Sequence, residues 1–349
     1  MGREGPMRMM RSAQGMLPWA SLAVGLALLV SACTGGGRTA SHRTSTTTTT
    51  AGGSTTSSST PAAAACTTAH LALAVGTGNG AAGTGYTDYF LRNTGSANCS
   101  LSGFPGLAVL DANGNVVQRP ATRCTGTTGF CRPVMTVLLQ PGQSTTFLGT
   151  NVDVYPTTDC PTHLTGTTVQ VYPPGQTVPL RQPWTVPNND VCDLGVGPVQ
   201  PVPRCHTSDL TAEIQPGGAA AGNIGATLHI TDMSRPCFLF GYPGLQMLDG
   251  SGQPMRTSVV RGSSMLHHDP GPSYVTLDNG EVASAGIGYS DVAIQGDPAN
   301  GQCPGSSSVE VTPPDETTYL SISAGLGPCD GGRLFVTAFQ TGGQPRGAS

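Results

Sequence analysis

The chain has 349 residues, a net charge of −4 and only 10% charged side chains, well short of the ~25% usual in soluble proteins. All 16 basic residues are arginine, with no basic block, so nucleic-acid binding has no electrostatic support. The absence of lysine excludes a Walker phosphate loop, a Schiff-base enzyme and a Ser-x-x-Lys acyl transferase, each of which needs a lysine at the chemistry.

The first element is a secretory signal over residues 1–32. Arg3, Arg8 and Arg11 give a positive start, Leu17 to Val30 form an apolar run of 14 residues, and Ser31-Ala32 are the small residues a peptidase accepts. That run is shorter than the roughly 18 apolar residues of a membrane span. Val30-Ser31-Ala32-Cys33 resembles a bacterial lipobox, which makes Cys33 the expected lipid-attachment residue. Each buried acyl methylene contributes about 0.8 kcal/mol, so two chains anchor stably where one does not. The expected location is the extracytoplasmic face of the cell membrane, held by lipid.

Residues 33–65 come next as a tether, rich in Thr, Ser and Gly and expected to be disordered, because it lacks the apolar residues that would offset ordering entropy. Its 28-residue stretch from Thr34 to Pro61 reaches roughly 30 Å as a Gly/Ser-like coil.

Beyond the tether the chain repeats itself. Cys66 matches Cys205, and Cys99 matches Cys237. Phe104-Pro105-Gly106-Leu107 matches Tyr242-Pro243-Gly244-Leu245, Val169 to Pro174 matches Val309 to Pro314, and Cys192-Asp193 matches Cys329-Asp330. The offset stays between 137 and 140 residues. This register marks a tandem duplication with domains at 66–200 and 201–341 and a flexible tail at 342–349. The boundary near Pro198 to Pro203 is too short for free domain motion.

Each repeat reads as all-β. Tyr86–Leu91, Val134–Leu139 and Ala226–Ile230 are short and carry alternating or β-branched apolar residues, with Gly, Pro, Asn and Asp clusters between them. About seven or eight strands per repeat fit an immunoglobulin-like β-sandwich, with a partly closed barrel as the other architecture. Trp184 is the one tryptophan after the signal, so the cores rest on Val, Leu, Phe and Tyr.

Ten cysteines remain once Cys33 is assigned to lipid, an even number that reads as disulfides in an exported chain. A hairpin of Leu71–Val75 with Tyr86–Leu91 brings Cys66 close to Cys99. The same reasoning favours Cys205 with Cys237 and, more loosely, Cys160 with Cys192 and Cys303 with Cys329. Cys124 and Cys131 occur only in the first repeat and would close a small local loop. Four cysteines allow three connectivities, so this pairing is a preference among them.

The duplicated Cys … Cys-x(4)-[Phe/Tyr]-Pro-Gly-Leu … Pro-Pro … Cys pattern resembles a family of exported β-sandwich domains known as domain of unknown function 4232, common in lipoproteins of high-GC Gram-positive bacteria. The resemblance covers Cys66 to Val199 and Cys205 to Phe339, and the aromatic-Pro-Gly element is its most specific part. It implies fold and location, and it supplies no catalytic residue. The Cys124/Cys131 pair, absent from the second repeat, is a local elaboration.

Three stretches invite chemistry. Gly78 to Gly83 matches Gly-x-Gly-x-x-Gly, but a strand follows where a dinucleotide site needs a helix N-terminus, so a flexible hairpin loop is expected there and at Pro216 to Gly222. His267-His268-Asp269, beside Met265, is the densest metal-like cluster. Adjacent histidines on a strand face opposite ways, and an exposed polar loop is the better reading over zinc or copper. The histidines His70, His163, His206 and His229 form no recognisable spacing. Asp111-Ala112-Asn113-Gly114 and Asp249-Gly250-Ser251-Gly252 read as tight turns rather than calcium loops.

No Gly-x-Ser-x-Gly elbow is present, and no motif requires a cofactor. The expected role is non-enzymatic: binding or scaffolding through sandwich loops, with an envelope protein, a glycan or a small ligand as partner. An extracytoplasmic hydrolase acting on envelope polymers is the competing class, and weak metal binding at His267/His268 is the third.

Overall fold

The computed structural model describes residues 63–81, 83–126, 130–152, 164–185 and 190–342. The signal, Cys33, most of the tether, Cys160, His163 and all but the first residue of the tail lie outside the described residues.

Among the described residues the regular structure is strand, apart from short 3-10 turns such as Thr68–His70 and Thr207–Asp209. The first repeat contains β1 (Leu71–Ala81), β2 (Thr84–Asn93), β3 (Cys99–Ser102), β4 (Gly106–Leu110), β5 (Thr122–Arg123) and β6 (Thr136–Leu139). It continues with β7 (Ser144–Val152), β8 (Thr168–Tyr172), β9 (Leu180–Pro183), β10 (Gly195–Val196) and β11 (Gln200–Pro201). The second contains β12 (Leu210–Ala220), β13 (Asn223–Asp232), β14 (Cys237–Phe240), β15 (Gly244–Leu248), β16 (Ser258–Arg261) and β17 (Tyr274–Leu277). It ends with β18 (Val282–Ser290), β19 (Ser308–Thr312), β20 (Leu320–Ser323), β21 (Arg333–Val336) and β22 (Gln340–Thr341).

The two repeats share one topology. One sheet runs β1-β2-β7-β10-β5 with β11 also on β7, and its copy runs β12-β13-β18-β21-β16 with β22 also on β18. The opposing layer is β4-β8-β9 with the pair β3-β6, copied as β15-β19-β20 with β14-β17. More segments form than the seven or eight expected, because short pairings such as β5, β10 and β11 finish sheet edges that composition alone does not mark. The strand expected over 134–139 starts only at Thr136, whereas those seeded by Tyr86 and Ala226 run longer.

Alternation builds each core. Tyr89 and Leu91 of β2 and Phe147 of β7 point between the layers, meeting Leu107, Val109, Val169 and Val171. In the second repeat Leu228, Ile230, Ala285 and Ile287 meet Leu245, Met247, Val309 and Val311. Tyr89 stacks on Phe147 with ring centroids 5.2 Å apart. A fully buried side chain of this size contributes about 1.5–3 kcal/mol.

Disulfides join Cys66 to Cys99 and Cys205 to Cys237, each with Cα atoms 4.8 Å apart. Further bonds join Cys124 to Cys131 and Cys303 to Cys329. Cys192 is also disulfide-bonded. The open end of the first hairpin explains the first bond. Ala65 bridges Ser100, and the Cys66 N–H donates to the Ser100 carbonyl at 2.9 Å, holding the segment before β1 beside β3.

The Gly-rich stretches are not the loops that the sequence suggests. β1 continues through Gly78 and Gly80, with a register shift between Val75 and Gly78, and β12 repeats this between Pro216 and Ala219. In the second repeat the turn is confined to Ala221 and Gly222, both at positive φ (48° and 74°), the signature of a type I′ hairpin turn. Glycine here serves a β-bulge and a tight turn rather than a flexible loop.

The junction between repeats is fully engaged. Gln200–Pro201 pairs with β7, and the Pro203 carbonyl accepts from the Phe238 N–H at 2.9 Å, leaving buried Val202 between the two sheets.

Candidate functional site

A cleft of about 660 Å³ opens in the first repeat. The bulge and hairpin of β1 and β2 supply Val75, Gly76, Thr77, Asn79, Tyr86, Thr87 and Tyr89, the end of β7 supplies Asn151, and the segment after β9 supplies Trp184 and Thr185. Asp190 completes the rim. Bulges re-aim side chains at functional sites, and the shift at Val75–Gly78 places glycine backbone along one wall. Tyr89 and Trp184 are buried, Tyr86 is half-buried and Asn79 is exposed.

Asn151 holds this mouth together. Its Oδ1 accepts from the Cys192 N–H at 2.7 Å and its Nδ2 donates to the Asp190 carbonyl at 3.3 Å. The Trp184 indole N–H is buried without a hydrogen-bond acceptor, an uncommon state for that group. Burial raises the Tyr89 phenol pKa, so it stays neutral.

Strand register fixes what the second repeat places at the same stations. With Ala81–Thr84 matched to Ala220–Asn223, Tyr86 falls on Gly225 and Tyr89 on Leu228. The β8–β9 and β19–β20 registers put Trp184 on Ala324. Asn151 falls on Tyr289, a residue of the second repeat's core. One scaffold thus carries different residues at all four of these stations in its two copies.

The back of this cleft leans on the second repeat. Thr77 donates through both its N–H and its hydroxyl to Asp278 Oδ2, the hydroxyl at 2.8 Å. Thr276 donates to the Ser144 hydroxyl at 3.1 Å. A Cβ on Gly76 would strike Asp278 and Phe90, so the approach requires glycine. Asp278 is 2% exposed. Burial, with the Asp278 charge adding to it, pushes the Asp88 carboxyl up to about 6. A second cleft of about 530 Å³ opens along this contact, between Ala72–Gly76, Phe90 and Arg92 on one side and Tyr274, Leu277 and Glu281 on the other.

The candidates singled out in the sequence are dispersed. His267 is buried at 8% exposure, contrary to the exposed loop expected. It lies over Gly225 and Gly286, where a Cβ on either strand would collide with its ring. Burial lowers its pKa, and the Ile287 carbonyl only partly offsets this. His268 is exposed. Asp269 is committed elsewhere, accepting from the Tyr242 hydroxyl at 2.7 Å and the Ala338 N–H at 2.9 Å. The structure therefore does not bring these three residues together as ligands. Among the described residues the one metal-like group is Asp297 with Cys303 and Cys329, whose thiols are spent on a disulfide.

Asp111 and Asp249 cap turns. The Asp111 Oδ1 accepts from the N–H groups of Asn113 and Asn115 at 2.9 and 2.8 Å, and the Asp249 Oδ1 accepts from those of Ser251 and Gln253. The Asn115 amide for Asp111, and the Ser251 hydroxyl followed by the Gln253 amide for Asp249, hold these carboxyls below their usual pKa. His206 sits 3.2 Å from Glu316, and His70 only 3.5 Å from Thr67.

One arrangement escaped sequence reasoning. Glu213, His229, Ser284 and Gln340 are opposed across four neighbouring strands, so they share one sheet face. The His229 Nδ1 lies 3.5 Å from Glu213 Oε1, an order resembling a Ser-His-carboxylate triad. Yet the Ser284 hydroxyl is fully buried and hydrogen-bonds to nothing, so neither base nor substrate reaches it. Its signal is strand register, invisible until the pairing is known.

Comparison with known proteins adds family membership. No curated protein matches the chain. A family model described as "Domain of unknown function (DUF4232)" matches twice, over residues 66–200 and 205–340. The chain belongs to that family and carries two tandem copies of its domain.

Proposed function

We propose that the protein is a lipid-anchored, extracytoplasmic binding protein of the cell envelope, with the open mouth of its first repeat as the ligand site. The second repeat serves as a scaffold that buttresses the mouth from behind. One observation carries this reading: Tyr86, Trp184 and Asn151 line a cleft of about 660 Å³, while Gly225, Ala324 and Tyr289 stand at the same stations in the second copy. That volume lies within the range of small-ligand pockets, and aromatic walls with a few polar groups are their usual lining. Anchoring rests on Val30-Ser31-Ala32-Cys33, and the disulfides suit an oxidising compartment. Binding is preferred to hydrolysis because the triad-like row around Ser284 has no reachable nucleophile.

Two measurements test it. Cys33→Ala should move the protein from the membrane fraction to the soluble extracytoplasmic fraction, and unchanged partitioning would defeat the anchor. Full-length protein in detergent should co-sediment with isolated envelope polymers, and Tyr86→Ala should reduce that retention about tenfold. Equal retention of both proteins removes the mouth as the site.

A further inference from the structure

We infer that residues 262–272 form a strap across the outer face of the second repeat, closed on His267 at neutral pH and released when that ring takes up a second proton. The first repeat supplies the contrast. Ser102 pairs with Thr136 as Phe240 pairs with Tyr274, and Thr122 pairs with Gly195 as Val260 pairs with Phe335, so the two connecting loops have the same length. Both leave their strands by the same backbone bond. The Cys124 N–H donates to the Val196 carbonyl at 3.0 Å, and the Gly262 N–H donates to the Val336 carbonyl at 2.9 Å. Equal length puts Cys124 on Gly262 and Cys131 on Asp269. A covalent bond closes the first loop, whereas the second carries no cysteine and is held by weaker contacts.

Those contacts centre on a ring laid over glycine. A Cβ on Gly225 or Gly286 would collide with the His267 ring, and one on Gly288 would collide with Ser264 of the same strap. None of these three glycines has a positive φ, so the strap and not the backbone conformation requires them. The first repeat places Tyr86, Leu148 and Thr150 at the matched stations and has no such cradle. The Ser264 hydroxyl accepts from the N–H groups of Leu266 and His267 at 3.2 and 3.0 Å, which bends the strap so that the ring turns inward.

For packing alone, histidine is a costly choice. Neither ring nitrogen has a hydrogen-bond partner in a side chain only 8% exposed, and a buried polar group left unpaired costs about 1–3 kcal/mol. An apolar ring avoids that cost, and the first loop uses one, with Phe130 lying against Gly195. What histidine adds is a charge that changes near neutral pH. Burial opposes the charged ring, and the Ile287 carbonyl offsets this only in part. The charged groups on the surrounding elements do not bond to it. On the strap His268 is exposed, and Asp269 is held by Tyr242 and Ala338. His229 of β13 faces Glu213, Arg333 of β21 pairs with Asp330, and Arg261 of β16 stacks over Tyr242. β18 carries no charged residue. A histidine whose folded pKa is lowered stabilises the closed form fully above its free value of about 6.5, and that stabilisation is lost as pH falls. Between strap and sheet lies a cavity of about 260 Å³ lined by Leu266, Ile224 and Phe335, so release uncovers an apolar strip.

The test is hydrogen exchange of the full-length protein in detergent micelles, read by mass spectrometry as protection factors at pH 7.5 and pH 5. Amides of residues 262–272 should lose at least about tenfold in protection at the lower pH, while those of residues 130–135 in the disulfide-closed loop should keep theirs. His267→Phe retains a ring over the glycines and should abolish the loss, and the smaller His267→Gln should abolish it too. His268→Gln should leave it intact. Parental protection of β13 and β18 at pH 7.5 shows that a variant is folded. Equal protection of the parent strap at both pH values overturns the proposal, as does a loss shared by residues 130–135. So does a loss that survives in the folded His267 variants or disappears in His268→Gln.

Discussion

The two repeats share a strand order and a disulfide framework, and they differ where function would be expected to act. Their strand pairings match station by station, down to the Asp111 and Asp249 turns, which use the same carboxylate-to-amide bonds. The mouth does not follow this pattern, and neither does the outer sheet face. In the first copy Phe90 lies there against the second repeat, whereas the matched His229 belongs to a polar row and the neighbouring glycines lie under His267. Duplication supplies a free internal control: a position that tolerates either side chain is structural, and one that changes along with its whole neighbourhood marks divergent use.

The largest expected effect comes from what the copies share. Cys66–Cys99 and Cys205–Cys237 close loops of nearly equal length, with separations of 33 and 32 residues. Removing either pair as a double alanine variant should cost about 3–4 kcal/mol, equally in both copies, by urea denaturation. A difference of more than about 1 kcal/mol would show that one copy leans on its disulfide more than the other.

Next comes the contact between copies. Gly76→Val places a branched side chain against Asp278 and Phe90 and should cost about 2 kcal/mol. The matched Gln215 is exposed, and Gln215→Val should stay within about 0.5 kcal/mol. If both variants melt alike, the bulge does not carry the contact between repeats.

A single buried position sharpens the comparison further. Asn93 donates through Nδ2 to the carbonyls of Ala97 and Leu139, at 2.8 and 3.2 Å. The matched residue in the second repeat is Asp232, fully buried, with Oδ2 lacking any donor. Desolvation raises its pKa, so burial in the folded state disfavours the ionised carboxylate. Asp232→Asn should therefore stabilise the protein at neutral pH by about 1–2 kcal/mol, seen as a higher Tm. An unchanged or lower Tm would mean that the carboxyl is already satisfied.

How much of this was legible follows from the physics of each feature. The duplication, the all-β class and the hairpin that brings Cys66 to Cys99 follow from residue type and spacing. The mouth does not, because Tyr86, Asn151 and Trp184 lie up to 98 residues apart and converge only when two layers close. Comparing the copies strand by strand would have exposed Tyr86 against Gly225 and Trp184 against Ala324. The burial of His267 is hidden from the sequence for a related reason. Ser263, Ser264, His268 and Asp269 around it are polar, and its burial comes from glycines on β13 and β18 far away in sequence. The Gly-rich hairpins were misread as loops because glycine marks a bulge and a turn with the same letter.

The smallest effect is a pH dependence seated between the repeats. Burial and the Asp278 charge disfavour ionisation of Asp88 and push its folded pKa from the ordinary aspartate range up to about 6. A carboxyl with a raised folded pKa binds its proton more tightly in the native state. Its contribution is therefore full below about 4 and is lost as pH rises through about 6. Asp88 keeps partial contact with solvent, and screening reduces the effect to about 1 kcal/mol. Asp88→Asn should flatten the fall in Tm between pH 4 and 6, with Asp232→Asn as background so that the second raised carboxyl does not contribute. The matched residue, Thr227, cannot ionise, so this station adds no such dependence in the second copy. An unaltered slope in Asp88→Asn would mean that Asp88 is not the source of the pH dependence.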